Sequence, residues 1–309
     1  MIYISQGHEK SIALEILIRS ICALRPSDRK FFTLVCLRQA LLENLKLLEI
    51  PEDVFFSSGP RFEFFERDNN PPSTSSLLRA IDMIDNDRDI LLTLPTSKDQ
   101  LIHQGRQLAG HTEFFRQYYN RPNLGMNFFA DDDFILLITD HIPLCKVAKS
   151  ITAELIVEKV TDTVNNADKY FSAIEEVIIA GINPHAGENG ILGDEDSCVK
   201  DAVASLKKIF PKLALSGPLS GDTLHFYKRQ NRKQLKVYMY HDQGLPLFKA
   251  QHGVLGLNIT FGLPFLRMSV DHGTAFDLYG KGIADFAGCL YMLQTALKVQ
   301  SRISALQEG

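Results

Sequence analysis

The chain is expected to fold as an α/β protein, a mostly parallel sheet with helices on both faces, divided into two lobes. Two observations predict this. Short apolar runs alternate with longer amphipathic segments along almost the whole chain, the pattern of strand–helix units that build parallel sheets. The length of 309 residues exceeds the ~250–300 residues at which one hydrophobic core stops growing.

The elements follow in order. Ile2–Ile4 reads as a strand. A helical pattern comes next, at Ile12, Glu15, Ile16, Arg19 and Ser20, with Leu14, Leu17, Ile18 and Ile21 widening its apolar face. Phe31–Cys36 is a buried strand and Leu37–Leu48 a helix. Residues 51–73 are aromatic but irregular and end in Asn-Asn-Pro-Pro, a connecting segment or small strands. Ser75–Ile84 has helical spacing through Leu77, Ala80, Ile81 and Ile84, and Asp89–Leu94 is a buried strand. Ala109–Glu113 is a polar cluster at a loop, where Thr112 is placed to cap a helix. The alternation continues with Phe134–Ile138 (strand), Thr152–Val164 (helix), Val177–Ile179 (strand) and Asp194–Phe210 (helix). In that helix Val199, Ala202, Val203, Leu206, Ile209 and Phe210 share one face. Leu235–Tyr240 is a strand and Ile283–Val299 a closing helix.

Composition narrows the function. A formal net charge of −4 lacks the basic excess of a general nucleic-acid or anionic-membrane binder. The chain is 45% hydrophobic and 23% charged, and no apolar run approaches the ~20 residues of a membrane helix. Met1–Ser5 has no basic leader, and Cys22, Cys36, Cys145, Cys198 and Cys289 are scattered without paired spacing. Free thiols in a reducing cytoplasm are the expectation.

Chemistry concentrates after the strands, where ligands bind in open parallel sheets. His141 follows Phe134–Ile138, His185 follows Val177–Ile179, and His241 follows Leu235–Tyr240. A single loop histidine is ordinarily a hydrogen-bonded surface group. Three after three strands suggest a divalent-metal site with positions left open for substrate oxygens. The loop Gly181–Gly190 is dense in turn formers, and Gly187 and Gly190 allow close backbone approach. Lys249 and Arg267 supply cations fit for a phosphate or carboxylate, and His111 and Thr112 are donors for an anion. There is no Gly-x-Gly-x-x-Gly after the first strand, which disfavours an ordinary Rossmann dinucleotide site. Walker A and Gly-x-Ser-x-Gly motifs are missing too.

Asn183-Pro-His-Ala-Gly-Glu-Asn-Gly190, Tyr240-His-Asp-Gln-Gly-Leu-Pro246 with Lys249, Asn258-Ile-Thr-x-Gly-Leu-Pro-x-x-Arg267 and Ser269-Val-Asp-His-Gly-Thr-Ala275 closely resemble the 4-hydroxythreonine-4-phosphate dehydrogenase family of vitamin B6 biosynthesis. Gly110-His-Thr-Glu113, Thr139-x-His-Ile-Pro-Leu144 and Gly217-Pro-x-x-x-Asp-Thr223 match in the same order, and the resemblance covers roughly residues 89–290. It implies a three-layer α/β/α subunit of isopropylmalate-dehydrogenase type. One lobe would comprise residues 1–122 and 266–309, and the other, 123–265, would carry the metal ligands and dimer contacts. The implied protein is a cytoplasmic homodimer with a shared active site. His141, His185 and His241 match the family's metal ligands, contributed across the dimer. His111, Thr112, Lys249, Asn258 and Arg267 match its substrate-binding positions, and Lys249 and Asp242 are the candidates for accepting the substrate's hydroxyl proton.

The implied reaction oxidises 4-phosphooxy-L-threonine with NAD or NADP and a divalent metal (Zn, Mg, Co or Mn). Decarboxylation then gives 3-amino-2-oxopropyl phosphate. A related phosphorylated four-carbon hydroxy acid, or binding without oxidation, would use the same residues. The departures lie elsewhere. Ser5–Glu15 keeps only Gly7, Ile12 and Glu15 of the family's opening motif, Leu94–Lys98 keeps Pro95 and Lys98, and Cys145 replaces a usual arginine. The metal and substrate positions are preserved; the segment associated with the cofactor is altered.

Overall fold

The computed structural model describes residues 1–131, 133–227 and 232–308. Its described strands are β1 (Ile2–Ser5), β2 (Phe32–Leu37), β3 (Arg61–Phe65), β4 (Ile90–Thr93), β5 (Ile102–His103), β6 (Arg106–Gln107), β7 (Met126–Ala130), β8 (Asp133–Leu137), β9 (Glu176–Ala180), β10 (Ala214–Leu219), β11 (Gln234–Tyr238), β12 (Leu257–Thr260) and β13 (Leu266–Val270). The described α-helices are α1 (Ile12–Ala23), α2 (Pro26–Arg29), α3 (Arg38–Leu47), α4 (Glu52–Ser58), α5 (Pro72–Asp82), α6 (His111–Tyr118), α7 (Leu144–Ser150), α8 (Ala153–Tyr170), α9 (Ser197–Ile209), α10 (His241–His252) and α11 (Ala287–Glu308).

The chain divides into two compact units. The first holds Met1–Pro122, Val254–Ile259 and Leu263–Gly309; the second holds Asn123–Gly253 and Thr260–Gly262. In the first unit β13, β4, β1, β2 and β3 lie side by side in that order, each pair parallel. Every residue of β1, β2, β4 and β13 is buried, as expected of a parallel sheet covered on both faces. Helix α5 packs on β1, β2 and β4, while α1 packs with α3 and α11. Ser11 starts α1 by accepting the amide of Ala13, and the apolar face read from the sequence is buried along its length.

In the second unit the order is β10, β9, β11, β8 and β7. The first four are parallel and β7 runs antiparallel to β8. Helix α8 begins after Thr152, whose hydroxyl accepts the amide of Leu155. Its buried positions Ile156, Val160, Thr163, Val164, Ala167 and Tyr170 continue the helical period past Val164, so the helix runs longer than the sequence pattern indicated. The core around α10 is formed by Met126, Phe128, Ile135, Leu137, Ile178, Tyr238, Leu245 and Phe248. Each such side chain contributes about 1.5–3 kcal/mol of burial free energy.

Several expectations are corrected. The small strands expected in residues 51–73 include β3, an edge strand, but the segment also contains a helix, α4. Seven residues are too few to display a helical period, and β3 has only Phe65 buried, so neither shows a clean pattern. Ala109–Glu113 is not a loop throughout: α6 begins at His111, its N-cap is Gly110, and Thr112 is inside the first turn rather than capping. Glu113 reaches back to accept the amide of Ala109 at 2.6 Å. Helix α9 begins at Ser197, leaving Asp194 and Glu195 outside it, and the closing helix begins at Ala287 rather than Ile283.

Candidate active site

In the second unit the histidines sit at the carboxyl ends of parallel strands, where the backbone leaves the sheet and side chains face outward. Thr139 follows β8 and ties this edge to the end of β11, its amide and hydroxyl both donating to the Met239 carbonyl at 3.0 and 2.7 Å. Two residues later His141 is exposed. His241 is the first residue of α10, and its ring centroid lies 5.6 Å from that of His141, with 42° between the ring planes. The Nδ1 of His241 shares a 2.6 Å hydrogen bond with Asp242 Oδ1. A carboxylate on one imidazole nitrogen orients the ring and leaves the other nitrogen for a ligand.

His185 lies in the loop after β9, and its backbone is unusual. His185, Ala186, Gly187, Glu188 and Asn189 all have left-handed φ/ψ, from φ 43 at Glu188 to φ 76 at Gly187. Left-handed conformation costs an L-residue roughly 1–2 kcal/mol, so the four non-glycine residues store several kcal/mol that the surroundings must offset. His185 is exposed and close enough to Asp222 to help hold that carboxyl below its ordinary range, after the larger contribution of the Ser220 hydrogen bond. Among the described residues, no three His, Cys, Asp or Glu side chains of one chain gather into a metal-holding group. His141 and His241 are brought together; His185 is not joined to them within the chain.

Lys249 is exposed in the last turn of α10. The helix was not evident in the sequence because Gly244 and Pro246 lie inside it. Gly244 is there for space: a Cβ at this position would stand 2.6 Å from the ring of Tyr238 in β11. Asp242 is exposed and engaged with His241.

The first unit gathers most of the expected substrate residues. Arg267 in β13 is 2% exposed. Its Nη2 and Nε donate to Thr93 Oγ1 at 2.6 and 3.0 Å, and its Nη1 donates to Asn258 Oδ1 at 2.7 Å. The guanidinium also lies 5.9 Å from the centre of the Phe115 ring in α6. Burial pulls its pKa down to about 9, which leaves it charged at neutral pH. These hydroxyl and amide oxygens orient the guanidinium without cancelling its charge. His111 and Thr112 are the first two residues of α6, where early helical amides favour an anion. Burial holds the His111 ring well below its ordinary pKa, and the charge of Arg267 adds to the effect. Thr93 escaped the sequence reading. Its one signal was a hydroxyl closing the apolar run Ile90-Leu-Leu-Thr93, on the face that Arg267 shares through the β4–β13 register.

The altered segment Ser5–Glu15 runs from the end of β1 through a tightly bonded loop into the first turn of α1, in the same unit. Gly7 has φ +69, and a Cβ there would come within 2.4 Å of the Pro95 carbonyl oxygen, so only glycine fits. His8 donates its amide to that oxygen at 2.9 Å. Glu15 is buried, accepts the Ala284 amide at 2.8 Å and pairs with Arg19 at 3.6 Å. Gln6 is fully buried with Oε1 on the Leu37 amide at 2.7 Å. Lys98 opens a short 3-10 turn after β4.

The family model described as pyridoxal phosphate biosynthetic protein PdxA matches residues 13–296. A 4-hydroxythreonine-4-phosphate dehydrogenase of Vibrio vulnificus (strain CMCP6) is 38% identical over 224 residues, covering 71% of this chain and 67% of the relative. One from Enterobacter sp. (strain 638) is 37% identical over 235 residues, covering 75% and 71%. The crystal structure of 4-hydroxythreonine-4-phosphate dehydrogenase from Klebsiella pneumoniae superposes with a TM-score of 0.79 at 25% identity, covering 97% of this chain and 99% of that one. Isocitrate dehydrogenase from Methylococcus capsulatus aligns with a TM-score of 0.54 at 12% identity, over 99% of this chain and 87% of that one, a likeness of fold alone. With a family model matched over residues 13–296 and relatives 37–38% identical over 71–75% of the chain, the chain belongs to the pyridoxal phosphate biosynthetic protein PdxA family.

Proposed function

We propose that this protein is an NAD(P)-dependent dehydrogenase that oxidises 4-phosphooxy-L-threonine, with decarboxylation to 3-amino-2-oxopropyl phosphate, in pyridoxal phosphate biosynthesis. The observation that carries this reading is the pair of outward-facing imidazoles, His141 and His241, 5.6 Å apart in a chain of this family. Two imidazoles at that spacing suit Zn²⁺ or Co²⁺ better than Mg²⁺ or Mn²⁺, which prefer oxygen ligands, and His185 is the third proposed ligand. When bound, such an ion supplies Lewis acidity, lowering the pKa of a substrate hydroxyl and polarising a carbonyl. NAD or NADP supplies the hydride acceptor.

The chain's own residues do the rest. Arg267, held by Thr93 and Asn258, binds phosphate or carboxylate with fixed orientation. His111 and Thr112 add donors at a helix start. Lys249 is the proposed acceptor of the hydroxyl proton. Asp242 is the other candidate, but its bond to His241 fits it better for orienting that ring.

A second copy of the chain is proposed to complete the metal set. His141 is followed by Ile142 and Leu144, 37% and 72% exposed, and the His185 loop by Ile191 and Leu192, 79% and 44% exposed. Large exposed apolar side chains beside functional groups mark surfaces that are covered in an assembly. Among the described residues no helix is long and apolar enough to cross a membrane. All five cysteines are free thiols, which supports a cytoplasmic setting.

The test is turnover. With a divalent metal, the purified protein is expected to reduce NAD⁺ or NADP⁺ when given 4-phosphooxy-L-threonine, read at 340 nm. Substrate binding with no absorbance change for either cofactor would move the protein to a non-oxidising binder. A better rate with another phosphorylated four-carbon hydroxy acid would replace the substrate.

A further inference from the structure

The left-handed turn that carries His185 needs something to hold it, and one buried carboxylate is placed to do so. Asp196 is 3% exposed. It occupies the N-cap position of α9 yet makes no side-chain hydrogen bond to that helix, although capping is the usual task of an aspartate there. Instead its Oδ1 accepts the amide of Ile182 at 2.7 Å and its Oδ2 accepts that of Asn183 at 3.2 Å, the residues that lead into the turn. The space around both oxygens is closed to any larger residue. A Cβ on Gly181 would lie 2.7 Å from Oδ1 and 2.8 Å from Ala186 Cα. One on Gly187 would lie 3.2 Å from Oδ2 and 2.9 Å from the Gly193 carbonyl oxygen.

The same strap is fixed from its other side. Gln243, two residues beyond His241, donates Nε2 to the Gly181 carbonyl at 2.9 Å and accepts the Met239 amide at 2.7 Å. Residues Gly181–Asn183 are therefore gripped by Asp196 through their amides and by Gln243 through a carbonyl. The strained residues follow after Pro184.

We propose that Asp196 is a positioning residue: its carboxylate, set inside the loop, fixes the left-handed turn that presents His185 for metal binding. The inference rests on the reading of His185 as a ligand. A capping role would place one carboxylate oxygen on an amide of α9, and neither oxygen is there.

The experiment loads the purified full-length protein with Co²⁺ and follows its visible absorption band and affinity. Wild type, Asp196→Asn, Gly181→Ala and His185→Ala are compared, with far-UV circular dichroism confirming the fold. Asp196→Asn keeps size but sets an amide NH2 against one of the two N–H donors and removes the charge. Gly181→Ala keeps the carboxylate but crowds both it and Ala186, and tests the strap as a whole; Asp196→Ser, which keeps one acceptor, is compared if Asp196→Asn does not fold. These variants are expected to bind Co²⁺ about 10–100-fold more weakly and to shift the band toward that of His185→Ala. Wild-type affinity and spectrum in the folded variants overturn the proposal. A wild-type band in His185→Ala removes His185 from the ligand set, a distinct failure that strikes the reading beneath it.

Discussion

His111 shows how a single residue's chemistry follows from its neighbours. Its ring is held well below the ordinary value of 6.5, first by burial and then by the charge of Arg267. In the unfolded chain the ring takes up a proton near 6.5; in the folded protein it does so only at lower pH. The unfolded state therefore binds more protons between these values. The stabilising contribution of neutral His111 is present above 6.5 and is lost as pH falls toward the folded value. Denaturant midpoints measured from pH 7.5 downward are expected to fall more steeply for wild type than for His111→Gln. Arg267→Met is expected to move the His111 titration, followed by NMR, back toward 6.5. Parallel midpoint curves would mean that the ring titrates as in the unfolded chain. Arg267, Asn258 and His111 were legible because each sits in a long motif. Thr93 was not, since a threonine ending an apolar strand looks the same whether or not a guanidinium lies on it.

At the scale of elements, legibility tracked the strength of the period. Helices α1, α5, α8 and α9 each bury an apolar face, and each was visible in the sequence. Helix α10 was hidden behind Gly244 and Pro246, both helix-disfavouring, because close packing on Tyr238 overrides propensity there. The left-handed turn was legible as a turn but not by its hand: nothing in Pro-His-Ala-Gly-Glu-Asn announces four non-glycine residues at positive φ, in a turn entered through Ile182 and Asn183, whose amides Asp196 holds. The α10 packing makes a prediction of its own. Gly244→Ala places a methyl 2.6 Å from the Tyr238 ring, so the helix must shift away from β11. Overpacking of this kind costs about 1–3 kcal/mol, and the shift carries His241 away from His141. Urea denaturation should show the loss of stability, and Co²⁺ titration a weaker site. A variant with wild-type stability and wild-type affinity would mean that α10 is free to move without disturbing the imidazole pair.

For the whole molecule, the two units divide the work in a similar way. In each, a largely parallel sheet carries candidate site residues at or beyond the carboxyl ends of its strands: Thr93 at the end of β4 in the first, the three histidines in the second. The strand–helix alternation made that plan legible. The antiparallel direction of β7 was not, since pairing direction leaves no trace in a single short apolar run, and the edge strand β3 buries only Phe65 and so shows no clean period. What one chain leaves incomplete is the ligand set, for among its described residues no three donors converge. If a second copy supplies the missing imidazole, metal binding and self-association are linked, and each must strengthen the other by mass action. Sedimentation of the protein stripped with EDTA is expected to show weaker self-association than the Co²⁺-loaded form, and Co²⁺ affinity is expected to fall on dilution into the monomer range. Leu144→Asp and Ile191→Asp, at side chains 72% and 79% exposed in one chain, introduce charge into the proposed contact without touching a ligand. Both are expected to lower metal affinity along with dimer stability. Full Co²⁺ affinity in a variant that sediments as a monomer would show that one chain holds the ion alone, and the shared site would have to be given up.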